Sequence, residues 1–187
     1  FLSLHLSGGT TEILRTHFNG NGFDNEIIGA TKDISAGQFI DRTGVYLGMK
    51  FPCGKELDAL SLKTQDTIKL PICTDGAYMN FSGVETKIKG LIGSENDAVI
   101  ARSVIENIRD TLIKAINSAI EKTRIKKVLA VGGVMSNSLI RKGLEENING
   151  RLYLASPEFS SDNAAGTAAL SEYIFKKGKD LSWSQKP

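Results

Sequence analysis

The chain has 187 residues, 41% hydrophobic and 24% charged, an ordinary globular usage that excludes wholesale disorder and a collagen-like repeat. Its 23 Lys and Arg against 21 Asp and Glu leave a net charge of +2, too small to argue by itself for nucleic acid or an anionic membrane. No apolar run approaches the roughly 20 residues of a spanning helix, and two cysteines, Cys53 and Cys73, cannot build a disulfide framework and read as reduced thiols.

The chain opens at Phe1 inside a strand-like pattern, without Met or a signal peptide, and so reads as a piece of a longer protein. Leu2, Leu4 and Leu6 alternate with Ser3, His5 and Ser7, which predicts a half-buried strand. Gly8-Gly9-Thr10 turns it into a returning strand from Thr11 to Phe18. Asn19-Gly20-Asn21-Gly22 is a second turn, followed by a short strand from Glu26 to Ile28. Ile34 to Leu47 predicts a helix capped by Asp33 and stopped at Gly48. Phe51-Pro52-Cys53-Gly54 is a loop, Glu56 to Leu62 a short helix, and Thr67–Pro71 and Tyr78–Ser82 are extended. Asp97 to about Lys122 is the strongest helix, with Ala101, Val104, Ile105, Ile108, Leu112, Ala115 and Ala119 on one face. Lys127 to Val131 predicts a strand buried on both faces. A helix from Ser136 to Glu146, a strand over Leu152–Leu154 and a last helix from Asn163 to about Lys177 complete the pattern. Residues 178–187 form a polar tail. Hairpins first and alternating strands and helices later predict an α/β domain with a mixed sheet flanked by helices.

Glycine is over-used, with 19 residues against an average of about 7%, and it clusters beside apolar strands. Ser7-Gly8-Gly9-Thr10-Thr11 reads as a plain hairpin turn or as a concavity of amides for phosphate. Val131-Gly132-Gly133-Val134-Met135-Ser136-Asn137 joins a buried strand to a helix, where absent side chains admit a flat ring and Asn137 suits a sugar or base edge. It has no G-x-G-x-x-G and is not a dinucleotide fingerprint. Asp162, before Asn163-Ala164-Ala165-Gly166, reads as a helix cap or an oxygen ligand for a cation. Asp41 reads as a solvated carboxylate or a ribose contact. His5 and His17 lie on facing strands, although nothing in their spacing requires a metal. The sequence offers no Walker loop, metalloprotease motif or serine triad.

The order of these weak signals is distinctive. A Gly-Gly-Thr hairpin, a strand ending in Gly132-Gly133 before Asn137, and an Asp162-Asn163-Ala164 helix start resemble the second half of the actin/hexokinase/Hsp70-like (ASKHA, ribonuclease H-like) fold. Together with Asp33-Ile34-Ser35-Ala36-Gly37-Gln38-Phe39-Ile40-Asp41, Phe51-Pro52-Cys53-Gly54 and Asn80-Phe81-Ser82-Gly83-Val84-Glu85-Thr86, they resemble the TsaD/Gcp family, once called O-sialoglycoprotein endopeptidases or glycoproteases. The resemblance implies that residues 1–177 are the second ASKHA-type domain of a threonylcarbamoyl transferase that builds N6-threonylcarbamoyladenosine in tRNA. It implies an adenine nucleotide, threonylcarbamoyl-adenylate or ATP, along His5, Leu6, Ser7, Gly8 and Gly9. Asp41 and Asp58 would face the ribose, Gly54 the nucleotide, and Gly132, Gly133 and Asn137 the adenosine. Asp162 would bind a divalent metal (iron, zinc or magnesium), which would polarise the carbamoyl group for attack by the adenine amine. It further implies a cytoplasmic protein, with no membrane role, working with tRNA and with partners such as TsaB and TsaE, as a homo- or heterodimer.

Some positions depart from the family pattern. The His-x-x-x-His pair and first domain expected before the hairpin are absent from these residues. Thr10 stands for His, Gln38 for Glu and Glu85 for Lys. These departures point to a divergent paralogue and to a chain inactive by itself. The alternatives are a non-catalytic ASKHA partner or scaffold, a glycoprotease-like metallohydrolase, or a kinase-like paralogue. Arg42, Lys50, Lys87, Lys89 and Arg141 are the candidates for a basic patch that receives RNA.

Overall fold

A computed structural model describes residues 1–156 and 164–176. The expected polar tail and the Ser160–Asn163 motif, with Asp162, lie outside the described residues. β1 (Leu2–Leu6) pairs antiparallel with β2 (Thr11–Phe18), and β2 pairs antiparallel with β3 (Phe23–Ala30). β3 is longer than Glu26–Ile28 because the ladder runs from Phe18↔Phe23 to Glu12↔Ala30, carrying the poor strand formers Asp24 and Asn25 with it. On its other side β1 runs parallel to β6 (Lys127–Val131), which runs parallel to β7 (Arg151–Leu154). The sheet is therefore mixed, in the order β3-β2-β1-β6-β7.

The alternation in β1 does what its pattern dictates. Leu2, Leu4 and Leu6 are fully buried on one face together with Ile13, Val128 and Ala130. Ser3 and His5 share the other face with Leu129 and Val131, which are only half-buried, so β6 is sealed on one face rather than two. The core face rests on α4 (Asp97–Thr123), whose 27 residues span roughly 40 Å. Ile100, Val104, Ile105, Ile108, Leu112, Ala115, Ile116 and Ala119 form its buried stripe. Asn96 caps this helix, accepting from the Ala98 amide.

α1 (Ala36–Tyr46) is capped by Ser35, not Asp33. Ser35 and Gln38 exchange hydrogen bonds in a capping box. Asp33 instead accepts from the Phe81 and Ser82 amides and the Ser82 hydroxyl, tying the entry of α1 to that of α3 (Ser82–Lys89). The sequence pattern predicts only an extended end at Ser82, and it misses α3 as it misses the two-residue strand at Thr74–Asp75. α2 (Gly54–Ser61) follows a cis Phe51–Pro52 bond. Residues 64–73 lie outside any helix or strand, held by Ser103, which accepts from the Ile68 amide at 2.8 Å, and by Asn107, which donates to the Pro71 carbonyl at 2.9 Å. A small ladder joins β4 (Thr74–Asp75) to β5 (Tyr78–Met79). α5 (Ser138–Asn147) precedes β7, and α6 (Ala164–Lys176) meets the β2–β3 hairpin where Tyr173 packs edge-on to Phe18.

Candidate functional site

The C-terminal ends of β1 and β6 lie side by side, and the glycine-rich segments leave from both. After β1, the Ser7 amide donates to the Thr10 carbonyl at 2.8 Å. The Ser7 hydroxyl accepts from the Thr10 amide at 3.0 Å and the Gly9 amide at 3.3 Å. Two of the amides expected to meet an anion are therefore engaged by Ser7. Gly8 and Gly9 themselves are exposed. The Ser35 hydroxyl donates to the Gly8 carbonyl at 2.7 Å, which seats the start of α1 against the turn. Gly37 makes this fit possible, since a Cβ there would stand 2.5 Å from the Ser7 carbonyl oxygen.

After β6, Gly132 takes φ +109° and presses against Leu6. Gly133–Ser136 make one 3-10 turn, and Asn137 caps α5 by accepting from the Leu139 and Ile140 amides at 3.1 and 3.0 Å. The Asn137 side-chain amide donates to Asp58 at 2.8 Å. Burial raises the Asp58 carboxyl above its ordinary value, opposed by the Ser138 amide that hydrogen-bonds to it. Asp41 on α1 accepts from the Cys53 amide at 2.8 Å, fixing the start of α2.

These contacts close a ring. The turn at Gly8 touches α1, α1 holds the start of α2, α2 holds Asn137, and the segment before Asn137 touches β1 again. Leu6, Ser7, Gly8, Gly9, Asp41, Gly54, Asp58, Gly132, Gly133 and Asn137 thus belong to one assembly at one end of the sheet. Leu6 has a fully buried side chain and can offer only its backbone. His5 stands one step lower on the second face, between Glu12 and Val131.

Other expectations fail or fall elsewhere. His5 pairs with Glu12 and His17 with Asp24, five positions further along β2, so the histidines do not share a site. Among the proposed basic residues, Arg42 is paired with Glu85 at 3.2 Å. Arg141 donates to the Met135 and Ala155 carbonyls, and Lys89 sits over the Tyr46 ring. Among the described residues no group of three or more His, Cys, Asp or Glu could hold a metal ion, so these residues do not by themselves fit the metal that the resemblance implies. Ser35, Gln38 and Gly37 are the residues the sequence reading missed. The spacing Ser35-x-x-Gln38 was a legible capping signal, whereas nothing local marks Gly37 as a contact of Ser7.

Residues 2–169 match the family model described as TsaD, tRNA N6-adenosine threonylcarbamoyltransferase. The chain belongs to the TsaD family. A tRNA N6-adenosine threonylcarbamoyltransferase of Buchnera aphidicola subsp. Acyrthosiphon pisum (strain Tuc7) is 32% identical over 193 residues, covering 96% of this chain and 56% of the relative. Its counterpart in strain APS matches equally. The chain spans about half the length of the curated relatives it matches. Full-length HypF in a phosphate- and nucleotide-bound form superposes with a TM-score of 0.67 at 14% identity, covering 98% of this chain and 34% of HypF. The activator of 2-hydroxyisocaproyl-CoA dehydratase from Clostridium difficile with bound ADPNP gives 0.59 at 19% identity, covering 97% and 64%. These two likenesses establish the actin-like α/β fold. No helix among the described residues is long and apolar enough to cross a membrane.

The glycines of this TsaD-family wall sort into two kinds. Gly132 and Gly37 are demanded by packing, because a Cβ at either would lie within 3.0 Å of backbone. Gly8, Gly9, Gly54 and Gly133 have no positive φ, and a Cβ at any of them would meet nothing within 4 Å among the described residues. The packing of the described residues does not require glycine at those four positions.

Proposed function

We propose that this chain forms one wall of a nucleotide-dependent threonylcarbamoyl-transferase site acting on tRNA. The observation that carries the reading is the set Gly8, Gly9, Gly54 and Gly133. They cluster around one ring and are bare without need from the protein's own packing, as expected where a ligand must come within van der Waals distance of backbone. The adenylate lies along Leu6–Gly9 and is approached closely at Gly54 and Gly133. α2 starts at Gly54 with no side-chain cap, which leaves first-turn amides for phosphate oxygens. Asp58 and Asn137, each ordered by the other, leave one Asn137 N–H and the spare acceptor capacity of the Asp58 carboxylate for the ribose.

In the reaction implied by the family description, the exocyclic amine of an adenine in tRNA attacks the carbamoyl carbon, and the adenylate leaves as AMP. The described residues bind and orient the donor for that attack, the entropic share of catalysis. A metal at Asp162 belongs to the same reading through the family alone, as do the partners TsaB and TsaE, dimerisation and a cytoplasmic setting.

Calorimetric titration of ATP and AMP into the chain and its Gly8→Ala, Gly9→Ala and Gly133→Ala variants tests the reading. Melting temperatures should be unchanged and binding at least about tenfold weaker, the equivalent of about 1.4 kcal/mol. Alanine variants that bind as tightly as the parent would remove the wall from the site. A parent chain that binds neither nucleotide would favour the scaffold reading.

A further inference from the structure

At the opposite end of the sheet from the glycine ring, five cations gather. α4 ends in Lys122 and its C-terminal cap Arg124, Lys126 and Lys127 lead into β6, and Arg151 opens β7. The parallel register sets Lys127 beside Arg151, and the Arg151 amide donates to the Lys126 carbonyl at 2.7 Å. All five are exposed, and among the described residues none makes an ion pair. Glu121, the nearest carboxylate along the chain, is exposed and also unpaired.

A solvated surface explains part of this. Cations near the C-terminus of α4 are favoured by its dipole, which accounts for Lys122 and Arg124. The dipole does not account for Lys127 against Arg151, since like charges directly opposite on neighbouring strands repel. Nor does it account for Arg124 at φ +61°, a left-handed position where glycine is the usual residue. Arg151 also lies 5.3 Å from the centroid of the Tyr153 ring, and that ring is 41% exposed. The fold thus tolerates repulsion and backbone strain at one end and there displays charge without ion pairs, beside a part-exposed tyrosine that Arg151 covers. That combination suits phosphates and unpaired bases.

We infer that Lys122, Arg124, Lys126, Lys127 and Arg151 form a binding surface for the phosphodiester backbone of RNA. The partner's identity as RNA rests on the transferase reading above. The position supplies the rest. The five-residue strands between this surface and the glycine ring are roughly 16 Å long, beyond the reach of one nucleotide and within the span of a folded RNA. Closer to the ring, Arg42 is paired with Glu85 and Arg141 with carbonyls.

The test is fluorescence anisotropy of the 187-residue chain with an unmodified tRNA transcript across a salt series. Lys126→Gln/Lys127→Gln/Arg151→Gln is compared with the equally charged control Lys63→Gln/Lys69→Gln/Lys114→Gln, three exposed lysines outside both basic groups. The surface variant should lower the slope of log K against log salt by about 2 to 3 and weaken binding roughly 100-fold at 0.1 M salt. Its melting temperature should not fall, because like charges are removed. The control should lose far less. A parent that binds RNA while the surface variant keeps its slope overturns this placement and leaves the transferase reading intact. A parent that binds no RNA overturns both. Equal losses in the two variants would show a diffuse charge effect and overturn the surface. Loss of binding only to phosphatidylserine vesicles would assign it to a membrane instead and overturn it equally.

Discussion

Gly132 is the most demanding single position in the wall. Its backbone sits at φ +109° and ψ 162°, a region essentially reserved for glycine. A Cβ there would stand 2.1 Å from the Leu6 carbonyl oxygen and 2.6 Å from its carbon. Leu6 lies in a central strand with a fully buried side chain, so the obstacle cannot swing aside. Gly132→Ala therefore meets two penalties, backbone strain of about 1–3 kcal/mol and overpacking of about 1–3 kcal/mol. A loss of about 4 kcal/mol is a large part of the about 5–15 kcal/mol that holds a domain together. With a urea slope of about 2 kcal/mol per molar, the unfolding midpoint should fall by about 2 M. Urea titration followed by circular dichroism reads this directly. Gly133→Ala, one residue further on in open space, should shift the same midpoint by no more than about 0.5 kcal/mol equivalent. A Gly132→Ala midpoint within about 0.5 M of the parent would refute the packing argument.

Two further outcomes follow from polar groups. Partial burial alone would raise the Asp33 carboxyl, but hydrogen bonds from the Ser82 hydroxyl, the Phe81 and Ser82 amides and Thr31 hold it at about 2, below its ordinary 3.8. A depressed carboxylate contributes stability above its unfolded value and loses it as pH falls through the folded one. The melting-temperature gap between parent and Asp33→Asn should be full at pH 6 and shrink between pH 4 and pH 2; a gap that does not change would exclude Asp33 as the tie. Tyr46 donates to the buried Glu85 at 2.8 Å, and this bond, with burial and the negative charge of Glu85, raises its phenol above 10.0. Glu85→Gln should bring one tyrosine titration in ultraviolet absorbance back toward 10, and an unchanged curve would show that the contact does not persist in solution.

Strong periodicity was readable in advance. The alternation of Leu2, Leu4 and Leu6 and the stripe along α4 each named an element and its buried face, whereas the apolar run into Val131 named a strand but one buried face too many. α3 was not readable, because its stabilising contacts come from elsewhere. It has eight residues, including Gly83 and the β-branched Val84 and Thr86, and Asp33 on a distant segment satisfies its first amides. The site residues were legible as a motif order, yet their mutual support was not. Asp58 meets Asn137 across 79 positions, and Asp41 meets the Cys53 amide across 12. The basic end was invisible for the same reason: Arg151 joins Lys127 only through strand register.

β1 stands between a near neighbour and a far one, and this sets the order in which the molecule is built. Leu2 pairs with Arg15 within the local hairpin and with Val128 across most of the chain. Joining ends some tenfold further apart in sequence adds about 2 kcal/mol of closure entropy. The hairpin should therefore form first, on the microsecond scale, and the parallel seam later. Gly132 reaches Leu6 only in that last step. A nascent chain halted after Thr123 would hold the residues of the hairpin and of α4 but could not close the ring, which needs Gly132 against Leu6. In refolding, the return of ligand binding would mark the closing of the seam rather than the collapse of the core.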